Sequence, residues 1–243
     1  DKTIIIIKIL IMKLKNIFQI VLAVVILGLA YWLYTSITKP MKFEDEFIAR
    51  RDACAKNLKA IRTLEEAYKN TYGCYTGSFD TLINRLMNED SLLIKQDVIN
   101  TDRIPAGVSV DDMPKSEAIK KGYISERMQY VNPIAQLREQ EKLSWTDAEK
   151  VVHQFTDEEI KNLRYVPYPK GSKEEFELQA GFIERSGFQV PVFECKVSLD
   201  VLLADLDHQT VANRIAEIER VSTKYAGWKV GDMYQAITEG NFE

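Results

Sequence analysis

The stretch KNIFQIVLAVVILGLAYWLYTSITKP, Lys15 to Pro40, decides how the rest of this 243-residue chain is read. From Ile17 to Ile37 it holds 21 residues without a charge. At helical rise such a run spans roughly 30 Å, the thickness of a bilayer's hydrocarbon core. The apolar region of a secretory leader is shorter, about 7–15 residues, and closes on a small-x-small cleavage site. Here the run closes on Tyr31, Trp32 and Tyr34, whose rings suit a headgroup interface because it satisfies an apolar face and a polar edge together. No Leu-x-x-Cys lipoprotein box occurs, the first cysteine being Cys54. The segment is expected to be a retained membrane anchor, bounded by Ile17 and Ile37 and seated by Tyr31, Trp32 and Tyr34.

The flanks set an orientation. Lys2, Lys8, Lys13 and Lys15 precede the span; Lys39 and Lys42 follow it, with Glu44, Asp45 and Glu46 straight after. Lys and Arg are the residues that count for topology, so the expectation is a short inner tail (1–16) and an exterior body. In a bacterium that means an inner-membrane protein with a cytoplasmic N-terminus and a periplasmic body. The opening DKTIIIIKILI has the Ile/Lys texture of translated AT-rich sequence. It suggests a native start at Met12, with residues 1–11 non-native.

Acids outnumber bases by four over the chain. Residues 1–42 hold six lysines and one acid, leaving 26 basic and 35 acidic residues beyond them, a net charge of −9. An acidic body argues against nucleic acid, whose binding rests on phosphate neutralisation. Two hundred residues are ample for one hydrophobic core. Of the three cysteines, Cys54 and Cys74 lie at opposite ends of one expected helix, about 30 Å apart, whereas disulfide Cα atoms must approach within about 7 Å. A Cys74–Cys195 pair stays open; three buried thiols is the expectation.

Pro40 punctuates the span, and a second helix is expected from near Phe43. Phe47, Cys54, Ile61 and Tyr68 repeat at seven, with Leu58, Leu64 and Tyr72 widening the stripe and Arg50, Lys56, Lys59, Glu66 and Lys69 opposite. This pattern predicts an amphipathic helix of about seven turns, stopped at Gly73. Ser78 is a candidate N-cap for a short helix, and Thr156 with Glu159 stands in capping-box positions. SLLIKQDVI reads as a strand, KSEAIKKGY and SWTDAEKVVHQF as short helical pieces. RYVPYP, EEFELQAGFIE and FQVPVFECKVSL read as strands, the last two joined by an ERSG turn. DVLLADLDHQTVANRIAEIERVSTKYAG reads as helix with a break near Asp205–Asp207. The expected fold class is α+β: an N-terminal transmembrane helix (17–37) continuing into a long amphipathic stalk (43–86), then a body (87–243) in which helices pack on a small antiparallel sheet.

The apolar helix followed by NLKAIRTLEEAYKNTYGCYTGSFDTLI resembles the pseudopilins of bacterial type II secretion over residues 17–86. That family sets a long helical stalk before a small antiparallel sheet, and its stalk commonly ends in a Tyr-bearing turn followed by Gly and an aromatic. Tyr68, Tyr72, Gly73 and Tyr75 stand in those places. The family's helix begins after a Gly cut by a peptidase, with a Phe and a Glu close behind; here KNIFQIV lacks the Gly and has Gln19 where an acid is wanted. The chain is also similar to uncharacterised single-pass bacterial envelope proteins. Both resemblances imply a location and envelope-protein partners rather than an activity.

Catalytic signatures are lacking: no Cys-x-x-Cys, His-Glu-x-x-His, Gly-x-Ser-x-Gly or Walker A segment occurs. His153 reads as a helix-surface or core-edge residue. Asp205, Asp207 and His208 form the nearest approach to a metal set, suited to a divalent transition metal, although caps at helix ends use the same residues. Acid clusters at Asp111–Asp112 and Asp157–Glu159 read as solvated. The tail WKVGDMYQAI reads as a segment docked on the sheet, against a ligand rim. No cofactor and no small-molecule substrate can be named. Phe43, Phe47 and Ile48 lie beside the membrane and have no evident partner in the chain, so they are expected to form a contact surface for a membrane partner. The leading functional expectation is a structural or interaction protein of the envelope; the alternative is an anchored enzyme using Asp205, Asp207 and His208.

Overall fold

The computed structural model of the chain describes residues 2–105, 109–110, 113–147, 149–221 and 225–242, with backbone alone for 2–17 and Ile20. Two compact units are distinguished, residues 1–49 and residues 50–243. Helix α1 (Lys2–Tyr72) supplies the first unit and opens the second. The expected break at Pro40 is absent: Pro40 lies inside the helix. It removes one N–H and so one intrahelical bond, to the Ser36 carbonyl, and the helix continues past it to Tyr72.

In the first unit every side chain from Val21 to Tyr34 is exposed, including Leu27 at 70% and Trp32 at 67%. In the second unit α1 ends where expected, at Gly73, which adopts φ +80° and donates its N–H to the Lys69 carbonyl at 2.7 Å. A residue lacking Cβ takes this left-handed conformation without steric cost. Cys54, Leu58, Ile61, Leu64 and Tyr68 of α1 are buried. Arg50, expected on the solvated side, is buried too.

Helix α2 (Phe79–Asn88) is capped by Ser78, whose side chain accepts from the Thr81 N–H, and buries Phe79, Leu82, Ile83 and Leu86. Strand β1 (Leu92–Ile99), a 3-10 turn (Thr101–Arg103), helix α3 (Lys115–Lys120) and strand β2 (Ile124–Val131) follow. β1 and β2 pair antiparallel, Leu92 opposite Val131 and Ile99 opposite Ile124. Asp111 and Asp112 lie outside the described residues. Helix α4 (Pro133–Glu139) starts on an Asn132 cap with proline in its first turn, where a missing N–H costs nothing.

The segment SWTDAEKVVHQF departs from the helix expected for it. It forms the hairpin of β3 (Ser144–Thr146) and β4 (Val152–Gln154), not a helix. Asp147 turns the chain by accepting the N–H groups of Glu149 (2.9 Å) and Val151 (2.8 Å) on Oδ1, a local bond that competes with helix. The flanking Trp, Thr and Val residues suit a strand. Helix α5 (Asp157–Asn162) has the full Thr156–Glu159 capping box. RYVPYP is not a strand; only Tyr165 makes an isolated bridge, to Glu175.

The main sheet has order β5–β6–β7, built from β5 (Glu177–Arg185), β6 (Phe188–Ser198) and, after α6 (Leu199–Leu202) and α7 (His208–Val221), β7 (Gly227–Gly231). Ser186 (φ 54°) and Gly187 (φ 81°) make the two-residue turn between β5 and β6, the doubly left-handed geometry that matches strand twist. The central strand β6 is buried continuously from Val192 to Cys195. Gly231 comes so close to it that a Cβ would lie 2.2 Å from the Phe193 carbonyl oxygen. The docked tail therefore enters the sheet as β7, which sequence reading did not assign as a strand. The cysteines are free; Cys54 and Cys195 are buried and Cys74 is half-buried. The architecture is α+β, with small antiparallel sheets packed against helices.

Candidate functional site

The residues expected to anchor the chain occupy a helix long and apolar enough to cross a membrane. Tyr31, Trp32, Tyr34 and Ile37 are exposed there; the Ile17 side chain lies outside the described residues. Of the expected contact surface, Ile48 is 38% exposed and Phe43 is half-buried, but Phe47 is only 6% exposed. The expectation of an exposed Phe47 is overturned. Its ring lies 6.2 Å from that of Phe43.

Asp205, Asp207 and His208 are adjacent in sequence and are engaged separately. Asp205 pairs with the buried Arg50 through two hydrogen bonds, from Nη1 to Oδ1 and from Nη2 to Oδ2 at 2.9 Å. That bond, before any other cause, holds its carboxyl below the usual range. Arg50 Nη1 also donates to the Leu202 carbonyl at 3.0 Å, and its guanidinium lies 5.0 Å from the Tyr168 ring centre. Asp207 Oδ2 accepts from the N–H (3.0 Å) and hydroxyl (2.6 Å) of Thr210, tying down the first turn of α7. His208 is the exposed first residue of that helix. Among the described residues no group of three or more His, Cys, Asp or Glu is arranged to hold a metal ion, so the expected metal set does not converge. Asp157, expected to be solvated, takes a hydrogen bond from Arg138 at 2.6 Å, and Glu159 serves the α5 cap.

The structure brings together a different set. Asp52, Ala55, Lys56, Lys59 and Thr63 follow one another at helical spacing along α1 and form one wall of a cleft of about 660 Å³. The opposite wall comes from Lys142 and the β3–β4 hairpin, with Phe155 and Phe242 completing it. Hairpin register sets Trp145 across from His153, and the two rings stack with centres 4.7 Å apart. His153 Nε2 lies 2.8 Å from Asp147 Oδ2. This hydrogen bond is the main reason the Asp147 carboxyl is held below its usual range. The turn that builds the hairpin thus also orients the wall.

Lys56 reaches across, its Nζ 3.4 Å from the Trp145 ring centre and 5.2 Å from that of Phe155. An ammonium over an indole face is attracted by the ring quadrupole. Burial lowers the Lys56 pKa from the usual lysine value, and the charge of Glu159 opposes that. Lys59 Nζ lies 5.8 Å from the Phe242 ring centre. Arg51 is paired with Asp52. Among the described residues no carboxylate lies at ion-pair distance from Lys56, Lys59 or Lys142. The Trp145 indole N–H is buried without a hydrogen-bond partner.

Sequence reading took Lys56 and Lys59 for a solvated helix face and placed Trp145 in a helix. The available signal was the alternation in SWT and VVH around an Asp-led turn. No family model matches the chain, and no curated protein or solved structure matches it either.

Proposed function

We propose that the chain is a single-pass, membrane-anchored protein of the bacterial envelope, with an inner tail in the cytoplasm and an α+β body in the periplasm. Its role is structural or interactive, as a pseudopilin-like component of a secretion or envelope assembly. The observation that carries the membrane part is the run from Val21 to Tyr34, apolar in sequence and exposed at every position. A bare apolar surface of this extent is unfavourable in water, and the 21-residue uncharged stretch Ile17–Ile37 that contains it is long enough to span a bilayer. The lysines before Ile17 support the orientation. Ile48 and Phe43, beside the span in sequence, offer apolar contact to a membrane partner.

Alkaline carbonate and high-salt extraction of native membranes, followed by N-terminal analysis of the mature chain, tests the reading. The expected outcome is retention in the membrane fraction with Ile17–Ile37 intact. Release into the soluble fraction, or a mature N-terminus near Pro40, would make the segment a cleaved leader and remove the anchor. Co-purification from detergent-solubilised membranes then identifies the assembly.

A further inference from the structure

We propose that the cleft between α1 and the β3–β4 hairpin binds a small, multiply charged anion, one bearing two or more phosphate or carboxylate groups. The body that contains it is strongly acidic, yet Arg51, Lys56, Lys59 and Lys142 all line the cleft, with Asp52 as the acid on its wall. Lys56 and Lys59 stand one turn apart on the same helix face, where like charges repel. An anion between them and Lys142 relieves that repulsion and replaces it with charge-assisted hydrogen bonds.

The positions are built rather than merely charged. Lys56 is half-buried and its ammonium is seated on Trp145 at 3.4 Å, which limits the rotamer freedom a surface lysine loses on binding. The Trp145 ring already carries both His153 and Lys56, so it supports the cation and is not a platform for a flat ligand. Recognition is therefore by charge. The hydroxyl of Thr146 adds one neutral hydrogen-bonding group beside the cations, while those of Thr63 and Ser144 donate to the Lys59 and Glu141 carbonyls. A volume of about 660 Å³ exceeds what a single phosphate needs and falls in the range of small-molecule sites. A long polyanion is disfavoured by the net charge of −9 carried beyond residue 42.

The test is isothermal titration of the detergent-solubilised full chain with inorganic tripolyphosphate and with citrate, and, in mixed micelles, with cardiolipin. Saturable 1:1 binding that weakens as salt is raised is expected for at least one of them. Lys59→Gln and Lys142→Gln should each weaken it about tenfold while leaving the thermal melt in place; Lys170→Gln, outside the cleft, should leave affinity unchanged. Binding by tripolyphosphate or citrate but not cardiolipin assigns a soluble ligand, and the reverse assigns a lipid headgroup; both support the site. Absence of saturable binding to all three, or wild-type affinity in both cleft variants, overturns it.

Discussion

Glu65 lies on α1 with its side chain fully buried. Its Oε2 accepts the Thr76 N–H at 3.0 Å, while Oε1 is buried without a partner. Burial pushes its pKa from the ordinary 4.5 up to about 8, with the Thr76 hydrogen bond opposing the rise. The folded protein thus holds this proton more tightly than the unfolded chain does. The stability that goes with the neutral carboxyl is fully present below about pH 4.5 and is lost as pH rises to about 8. A shift of this size corresponds to roughly 3–5 kcal/mol between those limits. Thermal melts of the full chain should fall steadily from pH 5 to pH 8. Glu65→Gln should flatten that slope and melt higher than the parent at pH 8. An unchanged slope in the variant would place the pH dependence elsewhere. Nothing in Leu64-Glu65-Glu66 marks one of the two acids as buried; only the helix phase relative to the sheet separates exposed Glu66 from buried Glu65.

Within α1 the spacing at seven identified Cys54, Ile61 and Tyr68 as buried, and all three are. The same spacing includes Phe47, yet sequence reading set it outside the core because a small sheet was judged too short to cover it. With Phe47 at 6% exposure and Ile61 at 1%, a disruptive substitution at either position should destabilise the fold. Ile61→Ala deletes packed methyl groups and should cost about 2–5 kcal/mol. Phe47→Glu removes a larger ring and puts a charge in a buried place, so its loss should be at least as great. Melts of the two variants by circular dichroism decide the matter. A Phe47→Glu protein that melts like the parent but loses a membrane partner in pull-downs would restore the exposed-contact reading. The β3–β4 hairpin teaches the complementary lesson: three-residue strands are too short for periodicity to declare them, and the Asp147 turn bonds decide between hairpin and helix.

For the whole molecule, the charge pattern makes a topological prediction. With Lys2, Lys8, Lys13 and Lys15 before the span, the residues from Phe43 onward should lie on the outer side of the inner membrane. Protease added to intact spheroplasts should digest the body and leave a membrane-bound fragment containing Trp32. Complete protection, with digestion only after lysis, would reverse the orientation. The body's net charge of −9 beyond residue 42 and the basic cleft within it act at different ranges. The first sets a long-range field that repels polyanions, and the second acts within a few ångströms on a small one.

By itself the sequence determined what depends on neighbours along the chain. The uncharged run marked the membrane-compatible helix, Gly73 marked its end, Ser78 and the Thr156–Glu159 pair marked two helix starts, and ERSG marked a hairpin. Each is a local bond or a local solvation preference, legible within a few residues. The tertiary structure decided everything that requires distant segments to meet. It drew the C-terminal segment into the sheet as β7 and gave Asp205 to Arg50 instead of to a metal. It also set Lys56 of α1 over Trp145, 89 positions away. These contacts rest on burial and charge compensation between elements, whose partners no local pattern names.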